Sequence, residues 1–200
     1  MADHYYSQKP DSESRPLFWD FSLRGHLLHF QTDQGVFSKK EVDYGSRVLA
    51  ECVQMPDLKG PVLDMGCGYG PIGLALAKSF PDRTIHMVDL NKRAIELARK
   101  NAEKNHIGNT EIYESNIFEN VRTDDFALIV TNPPIRAGKK VVHRIFEESC
   151  RHLAGNGELW VVIQKKQGAP SARKKMEELF KEVDLIGKDK GYYVFRGKKS

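Results

Sequence analysis

The chain has 200 residues, 40% hydrophobic and 29% charged, with a net charge of +4, which suits a globular protein with one full core and argues against a fibrous or wholly disordered chain. Its three cysteines, Cys52, Cys67 and Cys150, are odd in number and far apart, with no C-x-x-C pair, so zinc or dithiol chemistry is not indicated and a reducing compartment is expected. No run approaches the roughly 18 apolar residues of a membrane span, and "MADHYYSQKPDSESR" lacks the apolar centre of a signal peptide, so the expectation is a cytoplasmic protein with no membrane partner.

Taken in chain order, residues 1–15 are polar and are expected to form a flexible tail. "LLHFQTDQGVFS" alternates Leu28, Phe30 and Thr32 on one face and then meets Asp33-Gln34-Gly35, which predicts a hairpin turning there. Asp43 is placed to cap a helix over 44–55, with Val48, Leu49 and Cys52 on one side, ending before Pro56. Residues 16–58 therefore read as a hairpin and helix packed on the core of residues 59–200, the two parts making one structural domain over 16–200.

From 59 onward strands and helices alternate. "PVLDM" (61–65), "TIHMVD" (84–89), "TEIYES" (110–115), "FALIVTN" (126–132) and "GELWVVIQ" (157–164) read as strands; helices are predicted over 71–80, 92–105, 139–153 and 171–180. "EVDLIGKD" (182–189) and "GYYVFRG" (191–197) are close enough for an antiparallel pair. The pattern predicts an α/β fold of Rossmann type, with a mostly parallel sheet, helices on both faces and a closing hairpin.

Ligands in such folds bind beyond the carboxyl ends of the strands. The first strand-to-helix turn, "DMGCGYGPIG", carries G-x-G-x-G at Gly66, Gly68 and Gly70, together with Gly73, and by itself is a weak signal. Two ligands compete for it: a dinucleotide, and S-adenosylmethionine. Asp64 stands at the strand end, where a carboxylate repels pyrophosphate and suits an ammonium and a sulfonium, so charge favours the methyl donor. Asp89, ending the next strand, can accept both ribose hydroxyls; helix capping is the competing explanation for both acids. Asn116, with Ile117, follows the third strand, where its amide can pair with an adenine edge or make an Asx turn.

The fourth strand ends in Asn132-Pro133-Pro134-Ile135. Proline is an ordinary way to leave a sheet, but Asn132 Oδ1 and the Pro133 carbonyl, stiffened by two pyrrolidine rings, also form a rigid acceptor pair. Such a pair can bind both hydrogens of a planar NH₂ group, favour a more tetrahedral nitrogen and aim its lone pair, with no strong base required. Charge changes sign just beyond this corner. Residues 1–135 hold 15 basic against 19 acidic side chains, and residues 136–200 hold 16 against 8. Arg136, Lys139, Lys140, Lys165, Lys166 and the run 173–175 are placed near turns on the ligand face, where they suit a polyanion; a solvated lysine face is the alternative.

At "VLDMGCGYGPIG", "NPPI" and "GVFSKKEVDYGSRVLAE" the chain resembles the class I S-adenosylmethionine-dependent methyltransferases, and more narrowly the "methyltransferase small" group that includes bacterial 16S ribosomal RNA guanine-N2 methyltransferases. The likeness runs from about Phe18 to Gly197. It implies a seven-stranded sheet with a reversed last strand; S-adenosylmethionine held by Asp64, Gly66, Cys67, Gly68 and Gly70 at the methionine end, Asp89 and Leu90 at the ribose, and Asn116 and Ile117 at the adenine; and a target amine oriented by Asn132, Pro133, Pro134 and Ile135. Phe37 would close over donor or base, with Arg136, Lys139 and Lys140 on the RNA. Ile135 replaces the aromatic residue common at the fourth motif position, which leaves Phe37 or Tyr69 to supply a ring. The chain also lacks the extra N-terminal domain of the guanine-N2 enzymes. The expected function is N-methylation of guanine N2 in small-subunit ribosomal RNA, free or as the 30S subunit, by a monomer without metal. A protein glutamine amide or adenine N6 is the enzymatic alternative, and a non-catalytic RNA- or nucleotide-binding module the alternative of another class.

Overall fold

The computed structural model describes residues 15–33 and 41–200. An N-terminal hairpin, β1 (Leu17–Leu23) and β2 (His26–Thr32), leads to helix α1 (Tyr44–Cys52). Then follow β3 (Val62–Met65), α2 (Pro71–Ser79), β4 (Ile85–Asp89), α3 (Lys92–Lys104), β5 (Thr110–Glu114), β6 (Phe126–Thr131), α4 (Lys139–His152), β7 (Leu153–Gln164), α5 (Ala169–Leu179), β8 (Glu182–Asp189) and β9 (Tyr192–Lys198). Seven strands form one sheet in the order β5-β4-β3-β6-β7-β9-β8. The strands from β5 to β7 in that order are mutually parallel, and β9 runs antiparallel to both of its neighbours, which is the mostly parallel sheet with a reversed last strand that the sequence pattern predicts.

Every residue of β3 and β6 is buried, as befits central parallel strands covered on both faces. Alternate side chains feed two cores. Val62, Leu128 and Val130 pack with α1, α2, α3 and the hairpin, whereas Leu63, Met65 and Ile129 pack with α4 and α5. The helix interiors agree with their sequence faces: Ala94, Ile95, Leu97 and Ala98 of α3 are buried. Where α2 crosses β4 the approach is close, since a Cβ on Gly73 would lie 2.7 Å from the Met87 side chain.

The described hairpin turns where the sequence gives no signal. Leu28, Phe30 and Thr32 line the buried face of β2, which pairs with β1 across Arg24-Gly25; the turn expected at Asp33-Gln34-Gly35 falls on Gln34 and Gly35, which lie outside the described residues. Both turn residues have positive φ, 53° at Arg24 and 76° at Gly25. Such turns ordinarily use Asn, Asp or Gly at the first position, so an arginine hides the signal. The guanidinium helps hold the turn: its Nη1 donates to the Ala50 and Val53 carbonyls at 2.6 and 2.8 Å, at the end of α1.

On the other side of β2, α3 and its C-cap supply two side chains in place of a strand. Asn105 exchanges hydrogen bonds with the backbone N–H and C=O of His29 (2.8 Å each). Asn101 does the same for Gln31 at 2.7 and 3.0 Å, and its Nδ2 also reaches the Tyr69 carbonyl in the glycine loop at 2.9 Å.

Candidate functional site

The chain leaves β3 for β4 and β5 on one side, then returns to β6 on the other. In open α/β sheets such a reversal sets the ligand crevice beyond the carboxyl ends of the flanking strands, here β3, β4 and β6. Thr131 closes its floor, its buried hydroxyl donating to the Met65 carbonyl at 2.9 Å and tying the end of β6 to the end of β3.

Gly66 and Gly68 have φ of 77° and 57°, and a Cβ on either would meet nothing within 4 Å. Their conformation favours glycine, and the space beside them is open to a ligand. Cys67, buried between them, donates its N–H to the Val88 carbonyl at 2.9 Å, and burial pushes its thiol well above the ordinary range. It is therefore a neutral wall. Gly70 serves the fold instead, as the left-handed N-cap of α2 packed against Leu74 and Met87.

Asp64 is 1% exposed. Its Oδ2 accepts from the Gly73 N–H in the first turn of α2 at 2.8 Å, so helix capping accounts for one oxygen. Oδ1 is buried without a hydrogen-bond partner. Burial chiefly, aided by the charge of Asp89, pushes this carboxyl up to about 7. A folded-state value above the unfolded one means that the proton stabilises the fold below about pH 4 and that this contribution is lost as pH rises toward about 7. The stability of the free protein toward urea should therefore fall across that window. Asp64→Asn, which cannot ionise, is expected to flatten the slope, leaving the smaller part that Asp89 adds in the same direction. An unchanged slope in the variant would show that Asp64 is not its source.

Asp89 is half-buried and ties two loops together: Oδ2 accepts from Gly68 N at 2.9 Å and Oδ1 from Asn91 N at 2.8 Å. Burial, outweighing these bonds, raises its pKa. Leu90 follows, half-buried, at the crevice edge. Beyond β5, Ser115 rather than Asn116 makes the turn, its Oγ donating to the Ile117 carbonyl at 2.7 Å and accepting from Asn120 N at 3.1 Å. Ile117 is held at φ 54°, a left-handed conformation that costs a β-branched residue about 1 to 3 kcal/mol. The Asn116 Nδ2 donates to Glu119 Oε1 at 2.7 Å, which fixes the amide and leaves one of its hydrogens and its oxygen for another partner.

At the end of β6, Asn132 is half-buried, and its Nδ2 lies 3.1 Å from both Asp43 Oδ1 and Ser46 Oγ, at the start of α1. Among the described residues no donor reaches the Pro133 carbonyl. Pro134 and Ile135 enter a single 3₁₀ turn, Ile135–Ala137. Ile135 packs partly buried against the core under α4, an aliphatic wall rather than a ring. Tyr69 is no substitute: it is 3% exposed and packed edge-on against Trp19 and Phe30, at ring-centroid distances of 5.9 and 5.5 Å. Phe37 lies outside the described residues.

Arg136, Lys139 and Lys140 are exposed just beyond this corner, and Lys165 and Lys166 are exposed just beyond β7. The run at 173–175 differs from expectation. It sits on α5, where Arg173 pairs with Glu177 at 2.8 Å and Lys175 with Glu147 at 2.7 Å, so those charges are largely answered within the fold. In their place the β8–β9 tip brings Lys188 and Lys190 to the same face, with Lys190 Nζ 4.7 Å from the Tyr44 ring centroid and Lys188 Nζ 5.1 Å from that of Tyr193. Among the described residues there is no metal-holding cluster of His, Cys, Asp and Glu, and no helix is long and apolar enough to cross a membrane.

With this geometry in view, the profile of the methyltransferase small domain family matches residues 27–196. The chain is 59% identical to the Bacillus subtilis protein YbxB over 200 residues, which is all of both. It is 32% identical to ribosomal RNA small subunit methyltransferase C of Vibrio cholerae over 180 residues, covering 88% of this chain and 51% of that one. Among solved structures, the T. thermophilus 16S rRNA N2-guanine methyltransferase RsmC, in complex with AdoMet and guanosine, superposes with a TM-score of 0.81 at 25% identity, over 96% of this chain and 52% of that one. The chain thus spans the whole of the Bacillus relative and about half the length of the ribosomal RNA enzymes. By the match over residues 27–196 and the identity to the ribosomal RNA enzymes, the chain belongs to the methyltransferase small domain family of S-adenosylmethionine-dependent methyltransferases.

Proposed function

We propose that this chain methylates the exocyclic N2 amine of a guanine in small-subunit ribosomal RNA, with S-adenosylmethionine as donor. The observation that carries the reading is the corner after β6, where Asn132 spends its NH₂ group on Asp43 and Ser46 and keeps its oxygen for an incoming donor beside the Pro133 carbonyl. Two fixed acceptors suit the two hydrogens of a planar amine. They hold it in line and stabilise the charge that develops on nitrogen as the methyl group arrives, after which the proton is acidic enough to leave without a dedicated base.

The donor fits the residues present. Asp64 would ionise beside the cationic groups of the donor next to the open Gly66–Gly68 backbone, with Cys67 as the wall and Gly70 fixing the start of α2 behind it; Asp89 and Leu90 would face the ribose, and Asn116 and Ile117 the adenine. Bound there, S-adenosylmethionine supplies an electrophilic methyl group.

The helix starts support an RNA substrate. Helices α4 and α5 begin at Gly138 and Gly168 with no side-chain cap, and α4 opens on Lys139 and Lys140. Cations at a helix N-terminus oppose its dipole, so helix stability does not explain them; an anionic phosphate would be stabilised by both the free N–H groups and the lysines. Replacing Lys139 and Lys140 by Glu together is expected to lower the salt dependence of RNA binding by about 0.7 log units for each phosphate no longer engaged. A slope that does not move would put the RNA on another face.

The same acceptor pair would take a glutamine amide or an adenine N6, and product analysis separates them. Incubated with labelled donor and either 30S subunits or deproteinised 16S RNA from cells lacking the gene, the protein is expected to yield N2-methylguanosine on nucleoside mass spectrometry. Label in N6-methyladenosine or in protein, with none in guanosine, would overturn the substrate assignment.

A further inference from the structure

An asparagine side chain is nearly symmetric in shape, and rotation by a half-turn exchanges its oxygen for its nitrogen. At position 132 that exchange matters, because the oxygen is useful to a target amine and the NH₂ group would repel it. The start of α1 decides between the two. Asp43 Oδ1 caps the helix by accepting from Ser46 N at 3.1 Å, and the same oxygen lies 3.1 Å from Asn132 Nδ2. A carboxylate oxygen accepts and does not donate, so the amide nitrogen must face it. Ser46 Oγ, on a residue 5% exposed, gives the nitrogen a second acceptor at 3.1 Å. The opposite rotamer would set the Asn132 oxygen against the carboxylate and leave its NH₂ group toward the crevice. Space at this junction is tight, since a Cβ on Gly45 would come within 3.3 Å of Asp43 Oδ1 and 3.0 Å of the Tyr192 ring.

We propose that Asp43 and Ser46 are positioning residues for methyl transfer, locking the Asn132 amide with its oxygen toward the incoming amine and using the N-cap of α1 as the fixed wall. The inference rests on the reading of Asn132 as an acceptor for that amine. It assigns a function to a segment that precedes the donor loop and acts through Asn132. The bond to Asp43 also pushes electron density from the amide nitrogen toward its oxygen, which makes the Asn132 oxygen a better acceptor.

Methyl transfer to 30S subunits or 16S RNA by the full chain tests this, with donor affinity measured by calorimetry and thermal midpoint recorded for each variant. Ser46→Ala removes one acceptor and spares the cap. Asp43→Ser keeps a capping oxygen but on a side chain too short to serve Asn132, and Asp43→Asn restores reach without charge. The expected result is that Ser46→Ala and Asp43→Ser each lower kcat about tenfold or more, with donor affinity and KM for RNA within twofold of wild type and Asp43→Asn recovering part of the loss. In an Asn132→Ala background the same substitutions should cost nothing further. If kcat stays at the wild-type value in both variants while Asn132→Ala is slowed about a hundredfold or more, the lock is wrong and the acceptor reading stands. If thermal midpoint and donor affinity fall together with kcat, and the losses persist in the Asn132→Ala background, the pair is structural and the proposal fails. Full activity in Asn132→Ala overturns the acceptor reading and the lock with it.

Discussion

Asn132→Ala is expected to bind the methyl donor as the wild type does and to transfer methyl groups about 10² to 10³ times more slowly, the range seen when one preorganised polar partner of a transition state is removed. Donor affinity should survive because Asp64, Gly68 and Asp89 are held by their own backbone bonds, to Gly73, Asp89 and Asn91 respectively. Asn132→Asp sharpens the test. It keeps an oxygen of nearly the same shape, yet the new carboxylate would stand where Nδ2 now lies, 3.1 Å from Asp43 Oδ1, and the repulsion would turn it out of place. Both variants should therefore be slowed to a similar extent. Single-turnover methylation with calorimetry of donor binding checks the pair, and activity within a few-fold of wild type in Asn132→Ala would reject the acceptor mechanism.

Asp89→Ala should act in the opposite sense, weakening the donor by about 1.5 to 3 kcal/mol, the scale of hydrogen bonds to a charged group, or roughly 10- to 150-fold in Kd. Part of that loss is indirect, because Asp89 also anchors the Gly68 and Asn91 N–H groups. Asp89→Asn separates the parts: it retains one oxygen, but its NH₂ group must face one of those two N–H groups. If the ribose assignment is right, the affinity for S-adenosylhomocysteine should fall with that for the donor in both variants, and saturating donor should restore most of the rate. Unchanged affinity in Asp89→Ala would exclude the ribose role.

Much of this architecture can be read from the chain because its pattern is local. The helices of the core follow from three- and four-residue spacing and the strands from short β-rich runs between glycine- and proline-bearing turns. The mostly parallel order then follows from their alternation, and the carboxyl-end rule leads to Asp64, Asp89 and Asn132 without coordinates. What escapes is what depends on distance in sequence or on an unusual residue. β1 is hidden because its turn places arginine at positive φ. The ion pairs that occupy Arg173 and Lys175 need the three-dimensional meeting of α4 and α5. Asp43 is legible as a helix cap, but its second partner lies 89 residues away. Tyr69 reads as an available ring next to a ligand loop; only the packed hairpin reveals that Trp19 and Phe30 already enclose it.

The asparagines in α3 and at its C-cap have a consequence for the hairpin. An unpaired strand edge invites another chain to add to it, and proteins guard such edges; here Asn101 and Asn105 fill the outward hydrogen-bonding positions at His29 and Gln31, so β2 has no vacancy there for a third strand. Because the Asn101 amide also clasps the Tyr69 carbonyl, peeling the hairpin away would cost the glycine loop one of its moorings. Loosening the hairpin at the surface would in this way reach the loop where the methyl donor is proposed to sit.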